Sequence, residues 1–163
     1  MSVATPVVVR QSGISGDLLA LTTLTDVVYV DCHVLETPAA TTRTAQQWAR
    51  AIMEDVPAAV HERLITGWGG LRLDLEQDAP NTICGWRIAV DSPECVVLRA
   101  NSELGFRGEL VTEVLDRSVR FATFVTMSAP QGPEVWFPLV PKHTAVVRSL
   151  LEDAGRGVPT PVR

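Results

Sequence analysis

Arg99 and His143 are the residues whose types and expected positions best suit chemistry. An arginine turned toward an apolar face can grip a carboxylate, phosphate or enolate oxygen with its planar fork. A histidine can move a proton near neutral pH. Because a buried, unpaired guanidinium is costly, Arg99 on an apolar face points either to a cavity or to a buried acidic partner. For His143 the alternatives are capping its helix or bonding a backbone carbonyl. Asp31 and His33 share one face of an extended segment and can contribute to a metal site. No third ligand accompanies them, so a solvated face is the preferred reading and no metal or cofactor is expected.

Other apparent motifs fail on spacing. His61-Glu62-Arg63-Leu64-Ile65 begins like a helical zinc motif but lacks the second histidine. Gly67-Trp68-Gly69-Gly70 is neither a phosphate loop nor a dinucleotide fingerprint, and no G-x-S-x-G elbow is present. Cys32, Cys84 and Cys95 are odd in number with no C-x-x-C spacing, which argues for reduced, buried thiols in a cytoplasmic setting. No nucleophile emerges, so covalent catalysis is disfavoured.

The bulk composition narrows the partners. A net charge of −5 argues against a phosphate-tracking surface, and hence against nucleic acid. Hydrophobic content of 46% with 20% charged residues is that of a globular domain, and 163 residues suit one core. Neither a signal peptide nor a membrane span is expected, because Arg10, Gln11 and Ser12 interrupt the apolar start.

The elements that must position these residues follow from periodicity. Residues 1–13 and 158–163 read as tails around one domain, 14–157. A short helical turn is expected after Ser15. Val27 to Glu36 alternates as the first strand, with Val28, Val30, Cys32 and Val34 on one face and Tyr29, Asp31, His33 and Leu35 on the other. Thr44 caps a helix carrying Trp48, Ile52 and Met53, and Pro57 opens a second helix that Gly67 ends. Trp68 to Leu75 is expected to be extended along the sheet edge. From Cys84 to Met127 four antiparallel strands are expected, and Pro141 to Ala154 forms the last helix, with His143, Val147, Leu150 and Ala154 on one face.

Counting through the turns assigns the sheet faces. Asp116-Arg117 as a two-residue turn pairs Val114 with Val119, Thr112 with Phe121 and Leu110 with Thr123, with Glu113 opposite Arg120 outside. The next turns place Arg99 opposite Leu110, with Trp86 beside it, and Val90 opposite Cys95. The inner face then carries Trp86, Cys95, Val97, Arg99, Thr112, Phe121 and Thr123, and a one-residue slip would turn Arg99 outward. Val96, Leu98, Val111, Ala122 and Phe124 form an apolar outer patch. Either a homodimer or the N-terminal segment would cover it.

Several segments carry a family resemblance. They are Tyr29-Val30-Asp31-Cys32-His33, Trp48-Ala49-Arg50, Leu104-Gly105-Phe106-Arg107, Ala122-Thr123-Phe124-Val125, Trp136-Phe137, Pro141-Lys142-His143 and Val147-Arg148. Across about residues 26 to 155 the chain resembles a bacterial family of unknown function grouped with the helix-grip proteins (START, polyketide-cyclase and Bet v 1-like). Ser128 to Glu134 departs from that pattern. The resemblance implies an α+β helix-grip fold: a curved antiparallel sheet around a long C-terminal helix, with two short helices after the first strand. It also implies a cavity for a hydrophobic small molecule, lipid- or polyketide-like, with a polar or anionic end. Here Trp86, Arg99, Thr112, Phe121, Thr123 and His143 would line it. Two alternatives stand beside binding: a cyclase or dehydratase using His143 and Arg99, and a dimeric interaction module with no small ligand.

Overall fold

In the computed structural model, which describes residues 6–157, seven strands form one antiparallel sheet. They are β1 (Val7–Arg10), β2 (Val27–Glu36), β3 (Thr82–Ile83), β4 (Trp86–Asp91), β5 (Cys95–Ser102), β6 (Phe106–Val114) and β7 (Ser118–Met127). Their spatial order, β1-β2-β7-β6-β5-β4-β3, lays β2 against the last strand and leaves the rest as successive hairpins. The helices are α1 (Gly16–Leu19), α2 (Ala45–Met53), α3 (Ala58–Gly70), α4 (Gly132–Trp136) and α5 (Val140–Arg156). The class is α+β with a long helix near the C-terminal end. Two helices do follow β2, but a strand and a one-turn helix precede it.

Part of the expected N-terminal tail is therefore structured, since Val7–Arg10 pairs with residues 33–36 of β2. Residues 1–5 and the expected C-terminal tail, 158–163, lie outside the described residues. Among the described residues, no helix is long and apolar enough to cross a membrane.

The last hairpin forms as its turn dictates, with Val114 opposite Val119, Thr112 opposite Phe121 and Glu113 ion-paired to Arg120. The next hairpin differs by one residue. Ser102 pairs with Phe106 across a three-residue loop in which Gly105 has φ +106°, so Arg99 faces Glu109 and Leu98 faces Leu110. Because side chains alternate, that single residue turns Cys95, Val97 and Arg99 outward and brings Val96, Leu98 and Ala100 inward. In β4, Val90 pairs with Val97 rather than with Cys95, after a register shift beyond Ile88. A side chain on Gly132 would meet the Gly105 carbonyl at 2.2 Å, so the loop and the start of α4 touch backbone to backbone.

Both faces of the sheet are buried. The inner face carries Trp86, Leu98, Leu110 and Phe121 against α2 and α5, with Trp48, Ile52 and Leu151 at the centre. The Thr44 cap holds: its side chain accepts from the Gln47 amide, and the Gln47 side chain accepts from the Thr44 amide in return. On the outer face Val97, Val111, Ala122 and Phe124 lie under Leu18 of α1 and under Leu21 and Leu24 beyond it. The chain's own N-terminal segment thus covers the patch that motivated a homodimer.

Helix α3 runs past the expected stop at Gly67 to Gly70, into the stretch expected to be extended. Only Leu71 to Leu75 continues along the sheet, touching it through a bridge from Leu73 to Ser102 and a hydrogen bond from Asp74 N to Asn101 O.

Candidate functional site

The middle of β2 delivers the polar groups. Its alternation points Tyr29, Asp31 and His33 to the inner face, where Asp31 and His33 are each only 2% exposed. The expectation of a solvated face is therefore overturned: the outward set is apolar, but helices cover this face as well. Tyr29 Oη donates to Asp31 Oδ2 at 2.5 Å, and His143 Nε2, on the first turns of α5, lies 3.1 Å from the same oxygen. His143 Nε2 also stands 3.0 Å from Thr123 Oγ1 on β7. His33 Nδ1 is 3.7 Å from Asp31 Oδ1, which is beyond hydrogen-bond reach, and neither atom has a partner among the described residues.

The electrostatics follow from that geometry. Burial pushes the Asp31 carboxyl upward, but the His143 and His33 imidazoles and the Tyr29 hydroxyl outweigh it and hold Asp31 well below its ordinary 3.8. Burial, and then donation to the Asp31 carboxylate, pushes the Tyr29 phenol above its ordinary 10.0. Asp31 is therefore a buried carboxylate and Tyr29 a permanent donor to it near neutral pH. Among the described residues, no group of three or more His, Cys, Asp or Glu side chains is arranged to hold a metal ion.

Beside this cluster lies an apolar cavity of about 80 Å³ between the sheet, α3 and α5. Trp86, Phe121, Thr123 and His143, four of the sequence's candidate ligand-binding residues, line it. Thr112 is buried on the same face but outside the lining. Arg99 is on the opposite face, where its Nε donates to Glu109 Oε2 at 3.0 Å and its guanidinium reaches Thr23. Glu109 is fully buried and also accepts from Thr22 Oγ1 and Thr23 N, each at 2.7 Å. Arg99 thus belongs to a strap holding the N-terminal segment, which is the buried acidic partner foreseen as its alternative.

Trp136, on α4, is the residue that sequence reasoning left out. Its ring packs edge-on to Tyr29 at 5.3 Å and to His143 at 5.1 Å, and it lines the cavity. The indole N–H groups of Trp86 and Trp136 are buried and have no hydrogen-bond partner among the described residues. Buried donors are nearly always paired, so two unpaired ones on residues that line one cavity stand out. The thiols take no part: burial pushes Cys32, Cys84 and Cys95 each up to about 11. Compared with known proteins, the chain matches no family model and no curated protein.

Proposed function

We propose that the protein is a cytoplasmic helix-grip protein that binds a small hydrophobic molecule with a hydrogen-bond-accepting end between the sheet and α5. One observation carries this reading: an apolar cavity is lined by Trp86 and Trp136, whose buried indole N–H groups have no hydrogen-bond partner among the described residues. A ligand carbonyl or carboxylate would supply the missing acceptor, while Leu110, Phe121 and Val147 would take the apolar body. The strand order, with β2 beside the last strand and a long helix following, supports the helix-grip assignment.

Size sets a condition on this reading. About 80 Å³ falls short of the roughly 300–1,000 Å³ of ordinary ligand sites, so a lipid- or polyketide-sized molecule requires the cavity to open. Helix α3 is the wall suited to move, since Leu64 is its only fully buried residue. Native mass spectrometry of protein extracted from cells tests the proposal, with cavity-methyl chemical shifts as a second readout. A retained small molecule, lost in a Trp136→Phe variant that keeps the fold but lacks the N–H, is the expected result. An empty protein whose cavity methyls respond to no hydrophobic carbonyl compound would sink it. Catalysis of cyclase or dehydratase type is the second reading, favoured by the His143–Asp31 contact and without a role for Arg99.

A further inference from the structure

We propose that His143 is a general base acting through Nδ1 on a carbon acid, with Asp31 as the positioning residue that leaves that nitrogen free. This rests on the cavity being a ligand site, and it names the substrate class: a small apolar ketone or related carbonyl compound with a proton on the adjacent carbon.

The assignment follows from which nitrogen is occupied. His143 Nε2 faces Asp31 Oδ2 at 3.1 Å and Thr123 Oγ1 at 3.0 Å. A lone pair aimed at a carboxylate would be repelled, so Nε2 carries the proton. It therefore cannot also accept the Thr123 hydroxyl proton, which rules out a hydroxyl nucleophile activated in the manner of a serine–histidine–aspartate triad. Nδ1 has no hydrogen-bond partner among the described residues, the side chain is partly exposed, and the imidazole lines the cavity. The free basic nitrogen is the one left for a ligand.

The chemistry balances without an oxidant, a reductant or a further reactant. Nδ1 takes the proton from the carbon beside the carbonyl, and the C–H electron pair becomes the C=C bond of an enolate. The carbonyl oxygen gains the negative charge beside Trp136, whose ring packs against His143. The imidazolium so formed is held by Asp31 through Nε2–H until Nδ1 returns the proton to the same or a conjugated carbon. Enolisation or double-bond isomerisation is the resulting reaction class.

The probe is 2-indanone, a bicyclic ketone with exchangeable protons beside its carbonyl. Three readouts are taken on the full chain. In long-range proton–nitrogen NMR spectra neutral His143 should be the Nε2–H tautomer, and Asp31→Asn should admit the Nδ1–H form. A predominantly Nδ1–H histidine in the wild type overturns the proposal whatever the ligand. Next, 2-indanone should shift the cavity methyls, and its deuterium uptake from D2O should exceed that in buffer. His143→Gln should lower that uptake by about 100-fold, and Asp31→Asn should lower kcat more than it changes KM. A probe that binds but exchanges no faster than in buffer overturns the general base and leaves the binding reading standing. Cavity methyls that do not respond overturn the small-ketone substrate class, and the general base with it, while the retained-ligand measurement decides the binding reading separately.

Discussion

Asp31 stays ionised in the interior because Tyr29 and His143 converge on one of its oxygens. Losing the charge should therefore cost about 2–3 kcal/mol at pH 7 in Asp31→Asn, as expected for charge-assisted hydrogen bonds inside a protein. The pH dependence has a definite sign. With the folded pKa below the ordinary 3.8, the stabilisation is fully present above about pH 4 and fades as pH falls further, while the unfolded chain takes up its proton first. Urea unfolding between pH 2 and 7 should show a wild-type acid limb below pH 4 that is flatter in Asp31→Asn; parallel limbs would show that another carboxylate controls it. The residues of this cluster were only partly legible. Alternation put Tyr29, Asp31 and His33 together, and helical spacing turned His143 inward. That the two sets meet depends on α5 crossing β2, which no local pattern encodes.

Helix α3 is the element least committed to the core. It buries only Leu64 fully, and its C-terminal half contains Gly67, Gly69 and Gly70, around each of which an added methyl would meet no atom within 4 Å. Gly67→Ala should stabilise the helix by roughly 0.5–1 kcal/mol without a clash. It should raise the thermal midpoint slightly and slow amide exchange across Ala58–Gly70, and unchanged exchange there would show that backbone entropy does not govern this wall. Gly67 is also why the sequence places the helix end too early, and the alternation of Leu71, Leu73 and Leu75 is why the following stretch reads as extended. The low helix propensity of the glycines was visible in the sequence, whereas the tertiary contacts of Leu64 and Trp68 that override it were not. The β5–β6 hairpin is the converse case. Its strands were legible, but a loop shorter by one residue than expected, made possible by Gly105, moved Arg99 to the other face.

At the scale of the whole molecule, the sheet is sealed on both sides, and the outer seal hangs on Glu109. This carboxylate gathers Thr22, Thr23 and Arg99 over the face where Phe124 is fully buried. Glu109→Ala should destabilise by about 2–3 kcal/mol, less than for a fully buried pair because Arg99 reaches solvent. The intact chain should sediment as a monomer at micromolar concentration. The variant should gain protease cleavage within residues 14–26 and associate as concentration rises, since a bare apolar sheet face seeks another. A variant that stays monomeric and resistant would mean that Leu18, Leu21 and Leu24 hold the cover without the ionic strap.

The sequence by itself determined the α+β class, the strands β2 and β4 to β7 with the antiparallel order of the last hairpins, and the inward face of α5. These rest on periodicity, turns and caps, which act over a few residues. Only the tertiary structure decided which way Arg99 points, what covers the outer sheet face, and that Asp31 meets His143 beside a cavity lined by Trp86 and Trp136. Those outcomes depend on a one-residue register and on elements more than a hundred residues apart packing together, and local free energies do not specify them.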